Sequence, residues 1–459
     1  MKRRPSEIEA ALTQLDREHL RRERRTIDGF VEPGSRVTTI VDGRQLVDFS
    51  SNDYLGLARH PAVADAMSKC ADRCGSGSGA SHLVTGHGAE HALLEEELAA
   101  FTGRERALLF STGYMANLAV MTTLASRGET VLLDRLSHAS LIDGGLLSGA
   151  RFKRFAHADA RAAESALAAH AETASIVATD GVFSMDGDVG PLDALAEVSR
   201  SHDAWLVVDD AHGLGVIGAT GRGAVEHFGL DAEAVPVLVG TLGKAFGSFG
   251  AFVAGSSELI ELLMQKARPY IYTTALPQPV AAASRRALEI AQRETWRRER
   301  VLALTSRFRR IAGQMGVPVM GTTMANATVP IMGTAMARAA VPVMGTAMAN
   351  TTVPVMSTAM TSATALASVP SCLDAAASAQ HETPPLTPIQ PVFFGSSEAA
   401  LRAQRALFAA GFCVIAIRPP TVPQGSARLR VTLTAAHTEA QVDSLVEALS
   451  RVCAAREMA

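Results

Sequence analysis

Between Arg104 and Gly255 the chain repeats one pattern: short runs rich in β-formers, each followed by a stretch of helical character. The runs are ALLF, TVLLD, RFKRFAH, SIVATDGV, AWLVVDDAH, VLVGTLG and AFVAG, separated by Gly, Asp and Ser punctuation. Strands that alternate with helices are joined by crossovers, so they predict a mainly parallel sheet covered by helices on both faces, an α/β fold.

The flanking segments complete the plan. From Ser6 to about Thr26, Ile8, Leu12, Leu15 and Leu20 recur at roughly helical spacing, which predicts an amphipathic N-terminal helix, followed by a short β segment. Helical character returns from Ser256 to about Gly316, interrupted at PYIYTTALPQP. Strands PVFFG, CVIAI and RLRVTLT, with helices near 397–411 and 438–452, then read as a smaller α+β domain. The expected division is a helix and β segment at 1–50, a large domain at 51–290 and a C-terminal small domain at 291–459. An insertion at about 317–385 interrupts the last of these. Four approximate twelve-residue copies, from VPVMGTTMANAT to VPVMSTAMTSAT, occupy Val317 to Thr364 and hold eight of the sixteen Met residues, with Arg338 as the one charge. The reading is a tandem duplication in a surface loop, which the slow growth of loop-closure entropy tolerates; a binding module is the alternative.

Composition excludes several function classes. At 459 residues and 47% hydrophobic, the chain can bury a large core, while a net charge of −3 leaves no basic footprint for nucleic acid. Arg21, Arg22, Arg24 and Arg25 are interleaved with Glu18 and Glu23, a solvated helix face. Five scattered cysteines lack the paired spacings of a zinc site or disulfide framework, as expected for a reducing cytoplasm. The N-terminal residues carry charge throughout, unlike a secretory signal, and no apolar run suggests a membrane span.

The chemistry concentrates at strand ends. In VLVGTLGKAFGSFGAFVAG, Lys244 follows a buried-looking strand among Gly240, Gly243, Gly247 and Gly250. A lysine there can be desolvated, which disfavours the ammonium and leaves the neutral amine that carbonyl chemistry requires; taken alone, a lysine at the mouth of a glycine-rich turn reads the same. In AWLVVDDAHGLGVIG, Asp209, Asp210 and His212 close an apolar strand, where a carboxylate can pair with a protonated ring nitrogen or cap the next turn. LLFSTGYMANLAV runs through Thr112, Gly113 and Tyr114 into a helix whose free N–H groups can meet a phosphate. DRLSHASLIDG adds His138, whose ring can stack on a flat cofactor or hold a structural hydrogen bond.

Taken together, FSSNDYLGL, GSGSGASHLVTGH, LLFSTGYMAN, DRLSHASL, GVFSMDGD, VDDAHGLGVIG, GTLGKAFG and AIRPPTVPQGSARLR make the chain resemble the α-oxoamine synthase group of fold-type I pyridoxal 5'-phosphate (PLP) enzymes. The resemblance spans about Ile8 to Val452 apart from the repeats, and implies the fold-type I PLP-dependent transferase architecture. Lys244 then matches the lysine that holds the cofactor as a Schiff base, Asp209 the acid on the pyridine nitrogen, and His138 the histidine stacked on the ring. Ser184 and His212 match contacts near the phenolic oxygen, while Gly113, Tyr114 and Thr241 match contacts to the phosphate. Thr274 matches a threonine that reaches the phosphate across a homodimer. Arg21, with Arg22 beside it, and Thr421 match contacts to the acyl substrate.

The implied reaction joins an amino acid to an acyl thioester with loss of CO₂. AIRPPTVP favours L-alanine with pimeloyl-CoA or a pimeloyl-carrier protein, whereas relatives take glycine or serine with other acyl groups. Non-catalytic partner subunits in the group lack the lysine that this chain has. No role on nucleic acid or in a membrane is expected.

Overall fold

The computed structural model describes residues 5–31, 37–321 and 385–457, and these fall in one compact unit. The repeats beyond Gly321, and with them most of the expected insertion, lie outside the described residues.

The N-terminal helix is shorter than its periodicity predicts: it spans Pro5–Arg17 and stops well before Thr26. A Schellman cap ends it. His19 takes φ 55°, its N–H donates to the Asp16 carbonyl (3.1 Å), and the Leu20 N–H reaches back to Leu15 (2.8 Å). Ile8, Leu12 and Leu15 of the expected apolar face are exposed.

Next come β1 (Ile27–Phe30), β2 (Thr38–Val41) and β3 (Arg44–Asp48). The central part carries β4 (Arg106–Phe110), β5 (Thr130–Asp134), β6 (Arg151–Phe155), β7 (Ala174–Asp180), β8 (Trp205–Asp209), β9 (Val237–Thr241) and β10 (Ala251–Gly255). These seven form one sheet in the order β4-β10-β9-β8-β7-β5-β6. It is mainly parallel, as predicted; β10 alone runs antiparallel to both its neighbours. Buried side chains run without interruption along β5 and β10, because helices cover both faces. At the edge, β6 exposes Arg151, Lys153 and Arg154, charges that discourage further strand pairing.

Helix Gly113–Leu124 illustrates the packing. Its Ala116, Ala119, Val120 and Met121 are fully buried among Val131, Leu133, Val239 and Val253. Burying Val120 or Met121 contributes about 1.5–3 kcal/mol each.

The C-terminal part carries β11 (Ile389–Gly395), β12 (Phe412–Cys413), β13 (Ile415–Ile417) and β14 (Ala427–Thr432), with helices Ser397–Ala409 and Glu439–Glu457. CVIAI, read as one strand, divides at Val414: β12 pairs with β3, and β13 pairs with β14 in the three-stranded sheet β11-β14-β13. The first repeat copy begins inside the fold. Val317 and Val319 are buried, Val319 bridges to Val392, and the Met320 N–H donates to the Pro391 carbonyl (2.9 Å).

In a parallel sheet the C-terminal strand ends share one edge, the usual place for a ligand. Asp134, Asp180, Asp209 and Thr241 end β5, β7, β8 and β9 there.

Candidate active site

The turn between β9 and β10 sets the position of Lys244. The Leu242 N–H donates to the Gly250 carbonyl (2.9 Å) and the Gly247 N–H to the Lys244 carbonyl (2.8 Å). Gly247 has φ +61°, and a Cβ there would lie 2.2 Å from the Ala58 nitrogen, so only glycine fits. Lys244 Nζ lies 2.8 Å from His212 Nε2. Burial pulls the amine down to about 8; Asp209 opposes this and Arg430 adds to it.

His212 is buried, and burial together with Lys244 and Arg430 holds it well below the usual histidine range, hence neutral. Its Nδ1 is 2.6 Å from the Tyr54 hydroxyl, which also lies 3.3 Å from Asn52 Oδ1. Lysine ammonium only donates, so His212 Nε2 accepts and the ring hydrogen sits on Nδ1. Nδ1–H then donates to Tyr54, and the Tyr54 hydroxyl donates to Asn52. Arg430 closes the chain: Nη1 donates to Asn52 Oδ1 (2.9 Å) and Nε to the Ser184 carbonyl (2.6 Å).

A second network holds Asp209. Its Oδ2 accepts from Asn117 Nδ2 (2.6 Å) and its Oδ1 from the Ala211 N–H (3.1 Å). Asn117 Nδ2 also donates to Ser140 Oγ (2.8 Å), which lies 2.7 Å from His138 Nδ1. The His138 N–H donates to Asp180 Oδ2 (2.9 Å), and Asp180 stands directly beside Asp209 in the β7–β8 register. Burial, and then Asp209, push the Asp180 carboxyl well above the usual carboxylate range.

Asp210 does different work. It is fully buried, accepts from the Ala224 N–H (2.7 Å), and leaves no room for a Cβ at Gly181, Gly213 or Gly223. Successive strand residues face opposite ways, so one aspartate pins the loop while the other faces the strand-end edge.

The remaining predicted residues make contacts of their own. Gly113 opens its helix behind the Thr112 cap, where first-turn N–H groups have no carbonyl inside the helix. The Tyr114 hydroxyl donates to Asp143. Thr241 Oγ1 donates to the Gly250 carbonyl (3.0 Å) and accepts from the Gly243 N–H (3.3 Å). Ser184 is partly buried; Thr274 is exposed and bridges Ser81. The side chain that reaches Thr421 is Arg22 (Nη2 to Oγ1, 3.2 Å), whereas Arg21 pairs with Asp16 (2.7 Å).

The motifs assign no role to Tyr54, Asn117 or Asp180. A signal existed for Asn117, a lone amide in the apolar run MANLAV, and for Asp180, an acid closing a strand as Asp209 does. Tyr54 had none, because its partner is 158 residues away.

The aminotransferase class I and II family matches residues 44–449. Two 8-amino-7-oxononanoate synthases are similar across most of their length: that of Methylococcus capsulatus is 52% identical, covering 92% of both chains, and that of Cellvibrio japonicus 48%, covering 97% of this chain and 95% of the other. The chain belongs to the 8-amino-7-oxononanoate synthase family. Among solved structures, a serine palmitoyltransferase from S. paucimobilis with a bound PLP–myriocin adduct superposes with TM-score 0.80 at 27% identity, covering 98% of both chains. An 8-amino-7-oxononanoate synthase from Francisella tularensis superposes with TM-score 0.66 at 28% identity, covering 89% of this chain and 98% of the other. This 8-amino-7-oxononanoate synthase family member therefore has the fold-type I architecture, and its cofactor is PLP. The residues fit that group. A lysine amine held near 8, a carboxylate at a strand end, an exposed histidine and a helix start suit a flat, phosphorylated aldehyde.

Proposed function

We propose that this chain condenses L-alanine with a pimeloyl thioester, on CoA or a carrier protein, giving 8-amino-7-oxononanoate and CO₂, with Lys244 as the residue that carries the cofactor. The observation behind the lysine assignment is the 2.8 Å contact between Lys244 and neutral His212 at the strand-end edge, electrostatically coupled to Asp209.

When bound, PLP supplies an electron sink for the charge left by breaking the alanine Cα–H bond. The Lys244 amine, displaced from the cofactor by the incoming alanine amine, would take that proton. A value near 8 keeps an appreciable neutral fraction at physiological pH and leaves its conjugate acid able to return a proton. His212, fixed through Tyr54, Asn52 and Arg430, holds the amine in place. Asp209, oriented by Asn117, would pair with the ring nitrogen and favour its protonated form. His138 would stack on the ring and contact the alanine, and Ser184 and His212 would hold the phenolic oxygen. The N–H groups of Gly113 and Tyr114, with Thr241, would receive the phosphate. In a homodimer, Thr274 serves the site of the other copy. Arg22 and Thr421 bind the acyl group, with Arg21 held back by Asp16. A cytoplasmic setting agrees with the free thiols of Cys70, Cys74 and Cys413.

The test is CoA release by PLP-loaded protein given L-alanine and pimeloyl-CoA, against glycine with acetyl-CoA. Release confined to the first pair supports the reading, and release confined to the second refutes it. Lys244→Ala is expected to lose both the cofactor absorbance and turnover; near-normal turnover would remove Lys244 from the mechanism.

A further inference from the structure

Three imidazoles crowd together away from Lys244. His82 opens the π-turn His82–Gly86, His87 follows it, and His91 lies in the first turn of helix Ala89–Thr102. One ligating nitrogen from each lies within 4.8 Å of the other two, and the Nδ1 atoms of His82 and His87 are 2.9 Å apart. Glu95, one turn beyond His91, places Oε2 3.9 Å from His87 Nε2.

We propose that His82, His87 and His91 form a binding site for one divalent transition-metal ion of the zinc class, with Glu95 supporting His87 from behind.

The hydrogen bonds fix which nitrogen of His91 would ligate, in exchange for a backbone N–H it now accepts from. His91 Nε2 lies 2.7 Å from the Leu276 carbonyl and must donate to it, so its lone pair is on Nδ1, which now accepts from the Gly88 N–H (2.9 Å). A histidine that donates one ring N–H to a carbonyl while the other nitrogen binds metal is the common supporting arrangement. Glu95 stands in the equivalent place behind His87, and His87 Nδ1 already faces His82. His82 is oriented by stacking on Tyr270, at 5.0 Å between ring centroids and 10° between planes. A tetrahedral zinc site with bonds near 2.0 Å has nitrogens about 3.3 Å apart. Of the three residues His87 is the exposed one, so a shift of its side chain can close the present spread and a fourth position is left to water. Three imidazoles and a water suit zinc, cobalt or nickel rather than magnesium or calcium.

The experiment is equilibrium binding of zinc, then cobalt, to the chelator-treated PLP-loaded protein, with the wild type compared with His87→Ala and Glu95→Gln. Any metal captured by the cofactor is common to all three proteins and cancels. The expected result is one ion per chain that raises Tm in the wild type, an affinity about 10–100-fold weaker in Glu95→Gln, and loss of that ion in His87→Ala. Cobalt bound to the wild type should show the intense visible bands of a four-coordinate site, absent in His87→Ala. Equal stoichiometry and affinity in wild type and His87→Ala, or no binding by either, would overturn the proposal.

Discussion

Tyr54→Phe isolates the relay behind Lys244. Tyr54 is fully buried, and phenylalanine keeps its ring and shape, so the substitution removes one hydroxyl and opens almost no cavity. Two partners are affected. Asn52 Oδ1 keeps Arg430 as a donor at 2.9 Å, but the buried His212 Nδ1–H, 2.6 Å from the lost oxygen, has no acceptor. A buried donor left unsatisfied costs about 1–3 kcal/mol, and that loss is expected when cofactor-free protein is unfolded in urea. His212 can escape part of the cost by moving its proton to Nε2, but this places N–H against the Lys244 ammonium. The ammonium then loses the acceptor at 2.8 Å, so the Lys244 value must fall below its present value of about 8. The assay is the rate of PLP capture by cofactor-free protein, followed by absorbance across pH 6 to 10. Only neutral amine reacts, so the wild-type rate should rise with pH about a midpoint near 8, and the Tyr54→Phe midpoint should lie lower. Stability within about 0.5 kcal/mol of wild type together with an unmoved midpoint would refute the relay.

Three further outcomes are expected. His157, 3.0 Å from Asp134 and 2.7 Å from Asp188, is raised to about 9 by those carboxylates against its burial. His157→Gln should therefore cost about 1–3 kcal/mol below pH 6.5; the bonus fades as pH rises from there through 9, so the variant and wild type should converge near pH 10 in urea unfolding. Arg22→Ala should raise KM for the acyl thioester about tenfold with little change in kcat, while Arg21→Ala should leave both near wild type; steady-state kinetics with the two variants decides between them. Deleting residues 323–378 should leave kcat within about twofold, because loop length adds little to closure cost; a deletion that begins at Val319 should lose stability in the same unfolding assay, since Val319 is buried against β11.

Much of this enzyme could be read without coordinates. The alternation from ALLF to AFVAG specifies a parallel sheet because period and punctuation are local properties, and parallel order brings Asp180, Asp209 and Thr241 to one edge whatever the loops do. Glycines around Lys244 after an apolar strand fit an ordinary turn as well as a desolvated amine, so its assignment rests on the company of Asp209, His138 and the motifs that resemble the family. Local signals also misled: Ile8 to Leu20 carry helical spacing, yet the chain turns at His19, and CVIAI divides between two sheets at Val414. Tertiary structure alone decided the rest. Tyr54 meets His212 across 158 residues, Asn117 meets Asp209 across 92, and Arg22 rather than Arg21 meets Thr421 across 399. The reason is physical. Sequence periodicity records which face of an element is buried, whereas a hydrogen bond between distant elements depends on crossover geometry and side-chain direction, which no local pattern encodes.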